Sequence, residues 1–200
     1  MPVTLEFESR IVAEEMPPRK KWTRAECEFL DTHGLMQGQR YELIEGELID
    51  KMGMGKLHRL ALALVIDCLF EIFGRLRVQS QVPIDVSPED NPTNEPQPDV
   101  VVYRGDVREI HTDNAQPSDI LLAVEISDST LSFDRTIKAR LYARAGIPEH
   151  WILDLTTRRL IVHRDPANGA YASVVAYREQ ESVAPVSTRD RAVAVSAMLP

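Results

Sequence analysis

Cysteine is nearly missing from this 200-residue chain: Cys27 and Cys68 are its two copies. One bridge would be a thin framework for such a length, and neither thiol has a partner at metal-ligand spacing, so free thiols in a reducing cytoplasm are expected. Long apolar runs are missing too. The longest, Leu60–Ile66, falls far short of the roughly 20 residues that span a bilayer. The opening MPVTLEFESRIVAEEMPP carries acids where a secretory leader would carry bases and an apolar stretch, so no signal peptide is expected. Positive charge is scarce, 23 bases against 31 acids and a net charge of -8, which excludes passive adhesion to nucleic acid through bulk charge. A nucleic-acid enzyme whose carboxylates hold metal ions stays open. Gly-x-Gly-x-x-Gly, P-loop, His-Glu-x-x-His, Cys-x-x-Cys and Gly-x-Ser-x-Gly patterns do not occur, which removes support for the corresponding nucleotide-binding, metalloprotease, redox and serine-hydrolase chemistries.

At 44% hydrophobic and 27% charged, the composition is that of a globular protein. Residues 1–21 read as a flexible N-terminal arm and 22–200 as a single domain. Thr23 and Glu26 fit a capping box opening a short helix that stops at Gly34. Arg40–Ile49 reads as a hairpin hinged at Glu45-Gly46, and Lys56–Phe73 as a long helix. Strands are expected over Leu76–Val86, Asp99–Tyr103 and Ile120–Ile126, with a proline-rich loop at 87–97. A helix over Asp134–Ala145 follows, then a hairpin of His150–Leu155 with Arg159–His163 across Thr156-Thr157. The last 40 residues carry only weak strand signals. The order predicts an α/β fold with a mixed central sheet flanked by helices, preceded by an N-terminal helix and a β-hairpin.

Interior strands should be apolar on both faces, yet Asp99 opens one such strand and Glu125 lies near the end of another. If the two are adjacent and antiparallel, their carboxylates converge at one edge of the sheet. Such a pair repels unless a cation sits between the two, and oxygen ligands suggest Mg²⁺ or Mn²⁺. Lys138 falls within the apolar sector of its helix, beside Ile137, Leu141 and Ala145. A lysine there either pairs with a carboxylate, Asp134 being one turn away, or works as a catalyst. If it is catalytic, methionine in its place should leave folding almost untouched. His58 heads the inward row of Leu62, Val65, Leu69 and Ile72, where a satisfied core histidine is the commoner role. From Gln79 to Asp134 there are twelve acids and two bases, whereas bases outnumber acids from Arg135 to Asp165. An acidic pocket bordered by a basic helix and hairpin suits metal ions with a polyanionic substrate.

Tyr41-Glu-Leu-Ile-Glu-Gly-Glu-Leu48, His58, Pro98-Asp99-Val-Val-Val, Val124-Glu125-Ile-Ser, Asp134-x-x-x-Lys138-x-x-x-Tyr142 and Gly146-Ile-Pro-Glu-His-Trp-Ile-Leu-Asp154 follow one another. This order resembles the Uma-type family of restriction endonucleases, a branch of the PD-(D/E)XK nuclease superfamily, from about Trp22 to about Tyr177. The resemblance implies a restriction-endonuclease-like fold and a Mg²⁺- or Mn²⁺-dependent nuclease acting on nucleic acid, with DNA as the expected substrate of an endonuclease. It implies Asp99 and Glu125 as metal ligands, joined by the Ile126 carbonyl, and a catalytic lysine. The superfamily places that lysine where this chain has Ser127; the Uma-type branch has it on the following helix, matching Lys138. Glu47 or His58 would complete the pocket. Asp50–Gly55 departs from the proline-containing loop usual in the branch. Cutting both strands of a duplex favours a homodimer. Two rivals are a catalytically inactive nucleic-acid-binding or assembly module retaining the fold, and a phosphodiesterase acting on small nucleotides.

Overall fold

A computed structural model describes residues 18–51 and 54–200. Of the arm expected over 1–21, residues 1–17 lie outside the described residues, and 18–21 carry no regular structure. Helix α1 spans Arg24–Thr32 behind the expected capping box, with the Thr23 side chain accepting from the Glu26 N–H and Glu26 accepting from the Thr23 N–H. Strands β1 (Tyr41–Ile44) and β2 (Glu47–Asp50) form a separate antiparallel hairpin. Its two-residue turn has φ 51° at Glu45 and 75° at Gly46, the positive pair that matches the twist of the flanking strands. Helix α2 (Lys56–Phe73) buries Ala61, Val65, Leu69 and Phe73.

The main sheet has six strands in the order β3-β4-β5-β6-β7-β8. They are Val78–Ser80, Val100–Tyr103, Ile120–Ser127, Glu149–Asp154, Arg159–Ala167 and Ala170–Arg178. Only β5 and β6 run parallel. The connection between them is a helix, α3, in three consecutive pieces: Leu131–Phe133, a π-helical stretch Asp134–Lys138, and Ala139–Arg144. A short pair, β9 (Ser182–Val183) with β10 (Val193–Ala194), and a terminal turn of helix, α4 (Val195–Met198), close the chain. Among the described residues no helix is long and apolar enough to cross a membrane.

Alternation sorts the sheet into two faces. Val100, Val102, Val124, Trp151 and Leu153 meet α2 and α4 on one side. Val101, Tyr103 and Ala123 meet Tyr142, Ala143 and Ile147 from the α3 region on the other. The strand expected over Leu76–Val86 is much shorter. Arg75–Arg77 forms a 3₁₀ turn, Ser80 with Val100 is the last register pair, and the backbone turns at Gln81, φ 55°, after its N–H bonds the Asp99 carbonyl. Beyond it Pro83 has no N–H to offer a ladder, and Ile84 makes only an isolated bridge to Ala115.

On the α3 side of the sheet, His150 and His163 are register partners whose rings stack at 5.2 Å. Both are buried, and among the described residues His150 Nε2 and His163 Nδ1 lack hydrogen-bond partners. Burial, with each ring's neighbours secondary, pushes the imidazoles down to about 3 and about 4. The folded state therefore refuses protons that the unfolded chain accepts below its ordinary histidine value of about 6.5. This part of the stability is complete above about pH 6.5 and is lost as pH falls toward 4, at up to ~1.4 kcal/mol per pH unit for each histidine. Urea unfolding of wild type and His163→Gln at several pH values between these limits should show a shallower fall in the variant; parallel curves would refute the assignment.

Candidate active site

The β4–β5 ladder pairs Val100 with Val124. One step further, Asp99 stands beside Glu125, on the same face and at the same end of the sheet, since cross-strand neighbours share a face. The Asp99 carboxylate is tied there directly: Oδ2 accepts the Ile126 N–H at 2.8 Å. Continued two steps beyond Val100 and Val124, the same register would set Ile126 opposite Pro98. A proline has no N–H, so the ladder supplies no donor to the Ile126 carbonyl. Among the described residues, Asp99 Oδ1 and Glu125 Oε2 accept no hydrogen bond; Oε1 of Glu125 takes both donors offered to that side chain.

Those donors come from α3. Lys138 Nζ lies 3.0 Å from Glu125 Oε1 and 2.9 Å from Glu42 Oε1, and the Tyr142 hydroxyl donates to Glu125 Oε1 at 2.7 Å. The π-helical stretch turns both Asp134 and Lys138 inward; such an inserted residue re-aims side chains within a helix and is frequent at functional sites. Asp134 does not pair with Lys138 at ion-pair distance. It accepts the Thr130 hydroxyl at 2.6 Å instead, so the Asp134–Lys138 pair considered from spacing alone is not formed. Lys138 holds two other carboxylates, and this overturns the expectation that methionine there would leave folding untouched.

Glu42, Asp99, Glu125 and Asp134 are all buried, around the one buried lysine, Lys138. Negative charge is in excess, and protonation responds to it. Burial, reinforced by Asp99, Asp134 and Glu42 and opposed by Lys138, pushes Glu125 up to about 8. Burial would lower the Lys138 ammonium, but Glu125, Glu42 and Asp134 outweigh it and keep the charge on. Asp99 behaves oppositely to Glu125. Its desolvation is overcome by His58, by the Lys51 charge and by the Ile126 N–H, which hold it below the usual carboxylate range. His58 Nε2 is 3.4 Å from Asp99 Oδ1, a buried ring nitrogen that has no other polar partner among the described residues.

The pocket so formed has a volume of about 430 Å³ and is lined by Glu42, His58, Asp99, Glu125, Ile126, Asp134 and Lys138, with Arg40 and Lys51 among its further residues. Of the residues singled out from the sequence, Asp99, Glu125, Ile126, Lys138 and His58 are brought together. Glu47 is not. It shares a hairpin face with Glu42 but sits opposite Ile44, near the turn, about 7 Å further along at ~3.4 Å per residue, where it pairs with Lys21 at 3.1 Å. Glu42 and Tyr142 were missed. Each had a signal: Glu42 shares the side of buried Ile44, and Tyr142 follows Lys138 at i+4.

Residues 27–196 match the family described as "Uma2: Putative restriction endonuclease". The chain belongs to the Uma2 family. Membership assigns it to restriction-endonuclease-type nucleases, the class that the family description names. Among solved structures, five chains match. One is a crystal structure described as "a putative nuclease belonging to DUF820" from Anabaena variabilis ATCC 29413, with a TM-score of 0.57 and 15% identity, covering 79% of this chain and 88% of that one. This Uma2 protein thus shares its fold with that structure over most of both chains. None of the curated proteins matches.

The sequence leads to the expectation of a metal ion at this site. Among the described residues no group of three or more His, Cys, Asp or Glu side chains is disposed to hold one. The donor set is smaller and made of oxygens: two carboxylates, each with one oxygen free of hydrogen bonds, and a backbone carbonyl facing a proline. This chemistry fits a hard cation such as Mg²⁺ or Mn²⁺, which keeps several waters and needs only one or two carboxylates from the protein.

Proposed function

We propose that this protein is a Mg²⁺- or Mn²⁺-dependent endonuclease hydrolysing phosphodiester bonds of DNA, with Asp99, Glu125 and the Ile126 carbonyl as the residues that would hold the ion. The observation that carries the reading is the meeting of two strand-end carboxylates with a buried lysine, Lys138 lying 3.0 Å from Glu125. When bound, the ion supplies charge stabilisation at a phosphoryl oxygen and lowers the pKa of a coordinated water. The protein supplies the rest. Glu42 and Glu125 hold the Lys138 ammonium at the pocket lining. There it orients the attacking water and stabilises charge developing on the phosphoryl oxygens. Tyr142 fixes Glu125 through Oε1 and leaves Oε2 unengaged. His58, whose Nε2 lies beside Asp99, is placed to accept a proton. Attack in line with the leaving 3′ oxygen gives a 5′-phosphate and a 3′-hydroxyl. A homodimer acting in the cytoplasm suits two-strand cleavage and the free thiols Cys27 and Cys68.

Cleavage of plasmid DNA in Mg²⁺, lost on Asp99→Asn, tests the activity itself. Metal binding has its own readout. Titrated to 100 times its dissociation constant, Mn²⁺ should stabilise the folded protein by ~2.7 kcal/mol, a rise of about 5–10 °C in Tm for a chain of this size. Glu125→Gln keeps an acceptor for Lys138 and Tyr142 while removing a crowded charge, so its metal-free Tm should not fall and its metal-induced rise should vanish. An equal rise in both proteins would place the binding elsewhere.

A further inference from the structure

The hairpin that carries Glu42 also carries two bases at the pocket mouth. Tyr41 pairs with Asp50, and the Lys51 N–H continues the ladder to the Arg40 carbonyl at 2.7 Å. Arg40 and Lys51 are therefore cross-strand neighbours, on the face that Glu42 and Ile49 share by alternation. Like charges in directly opposite positions are destabilising. Among the described residues, neither of these is at ion-pair distance from a carboxylate. Each is instead held by a neutral acceptor: Arg40 Nη2 donates to Gln81 Oε1 at 2.7 Å, and Lys51 Nζ donates to the Gln97 carbonyl at 2.5 Å. Both line the pocket of Asp99 and Glu125. Two strand positions separate them from Glu42, about 7 Å at ~3.4 Å per residue. An acidic pocket that must admit a polyanion thus has its accessible cations at the entrance, since Lys138 is already engaged by Glu42 and Glu125.

We propose that Arg40 and Lys51 form a clamp for the phosphodiester backbone next to the scissile phosphate, reading charge and not base sequence. The inference rests on the nuclease reading and adds to it the residues that seat the substrate. Arg40 contributes a planar fork with donors beyond the one given to Gln81, and Lys51 a point charge with two further N–H donors; both match phosphate oxygens.

The test uses the 200-residue chain carrying Asp99→Asn and Glu125→Gln, in EDTA, a background expected not to cleave and lacking two of the repelling carboxylates. Binding of a fluorescent DNA duplex is followed against KCl concentration. Adding Arg40→Gln and Lys51→Gln should weaken binding roughly 60-fold at about 0.1 M salt, about eightfold per lost phosphate contact, and flatten the log–log salt slope by about 1.8. The loss should be equal for unrelated sequences. Arg40→Lys with Lys51→Arg should preserve most of the binding. Arg104→Gln, one residue past the opposite end of β4, removes the same charge and should change affinity less than twofold. Melting curves on every variant confirm folding, which these rim positions should leave within a few degrees. If the background protein binds no duplex even at low salt, the nuclease reading itself fails. If it binds and the Arg40–Lys51 variant binds equally, or if Arg104→Gln costs as much as either clamp residue, the clamp alone is overturned.

Discussion

Lys138→Met should lower the rate of DNA cleavage by about 10²-fold or more, the scale on which removal of one transition-state stabilising donor acts, and should lower stability as well. The lysine is buried between Glu42 and Glu125. Removing one partner of a buried ion pair typically costs ~3–5 kcal/mol, because the other charge is left uncompensated. Glu125, already pushed up to about 8 by burial, can take a proton at neutral pH and relieve part of that loss. The expected loss is then toward the lower end of that range, a drop of roughly 6–12 °C in Tm at 2–4 °C per kcal/mol.

The second variant separates the two roles. Adding Glu42→Gln to Lys138→Met removes one of the two carboxylates that lost their cation, so most of the lost stability should return while cleavage stays down. Were Lys138 present only to neutralise its neighbours, the double variant would recover cleavage together with stability. Tm and single-turnover rate measured on one preparation of each protein decide between these outcomes.

How much of this could be read from the chain depended on parity and period. Asp99 and Glu125 stood out because each interrupts an apolar strand, and a carboxylate at such a place has few bland explanations. Lys138 stood out by the same logic on a helix. The π-helical stretch that aims it was invisible, since one inserted residue changes no residue type and hardly disturbs an apolar period over so short a segment. Glu42 and Glu47 lie on one face of the same hairpin, so alternation could not rank them. Which end of the hairpin meets the pocket is decided by contacts from residues far off in sequence: Gln97 donates to Glu42 at 3.1 Å, while Lys21 takes Glu47. Strand β3 was overextended because Leu76–Val86 alternates well while the backbone turns at Gln81. The closing segment defeated periodicity for another reason. Its strands β9 and β10 have two residues each, too few to show a period, and tertiary contact places them: the Val195 and Ser196 N–H groups bond back to the Glu181 and Glu179 carbonyls.

Asp99 is the position on which the nuclease proposal turns, because it is not paired with Lys138 and, among the described residues, its Oδ1 accepts no hydrogen bond. Asparagine there can still accept the Ile126 N–H, so folding should be retained, while a metal-binding oxygen is replaced and a charge lost. The contribution of such an ion to phosphoryl transfer is several kcal/mol, which corresponds to a fall of about 10³-fold or more in rate. The most direct measurement is conversion of supercoiled plasmid to nicked and linear forms by wild type and Asp99→Asn, in Mg²⁺, in Mn²⁺ and in EDTA. The expected result is cleavage by wild type with either metal, none in EDTA, and none above background by the equally folded variant. Cleavage that persists in EDTA, or an Asp99→Asn protein as fast as wild type, would contradict the account.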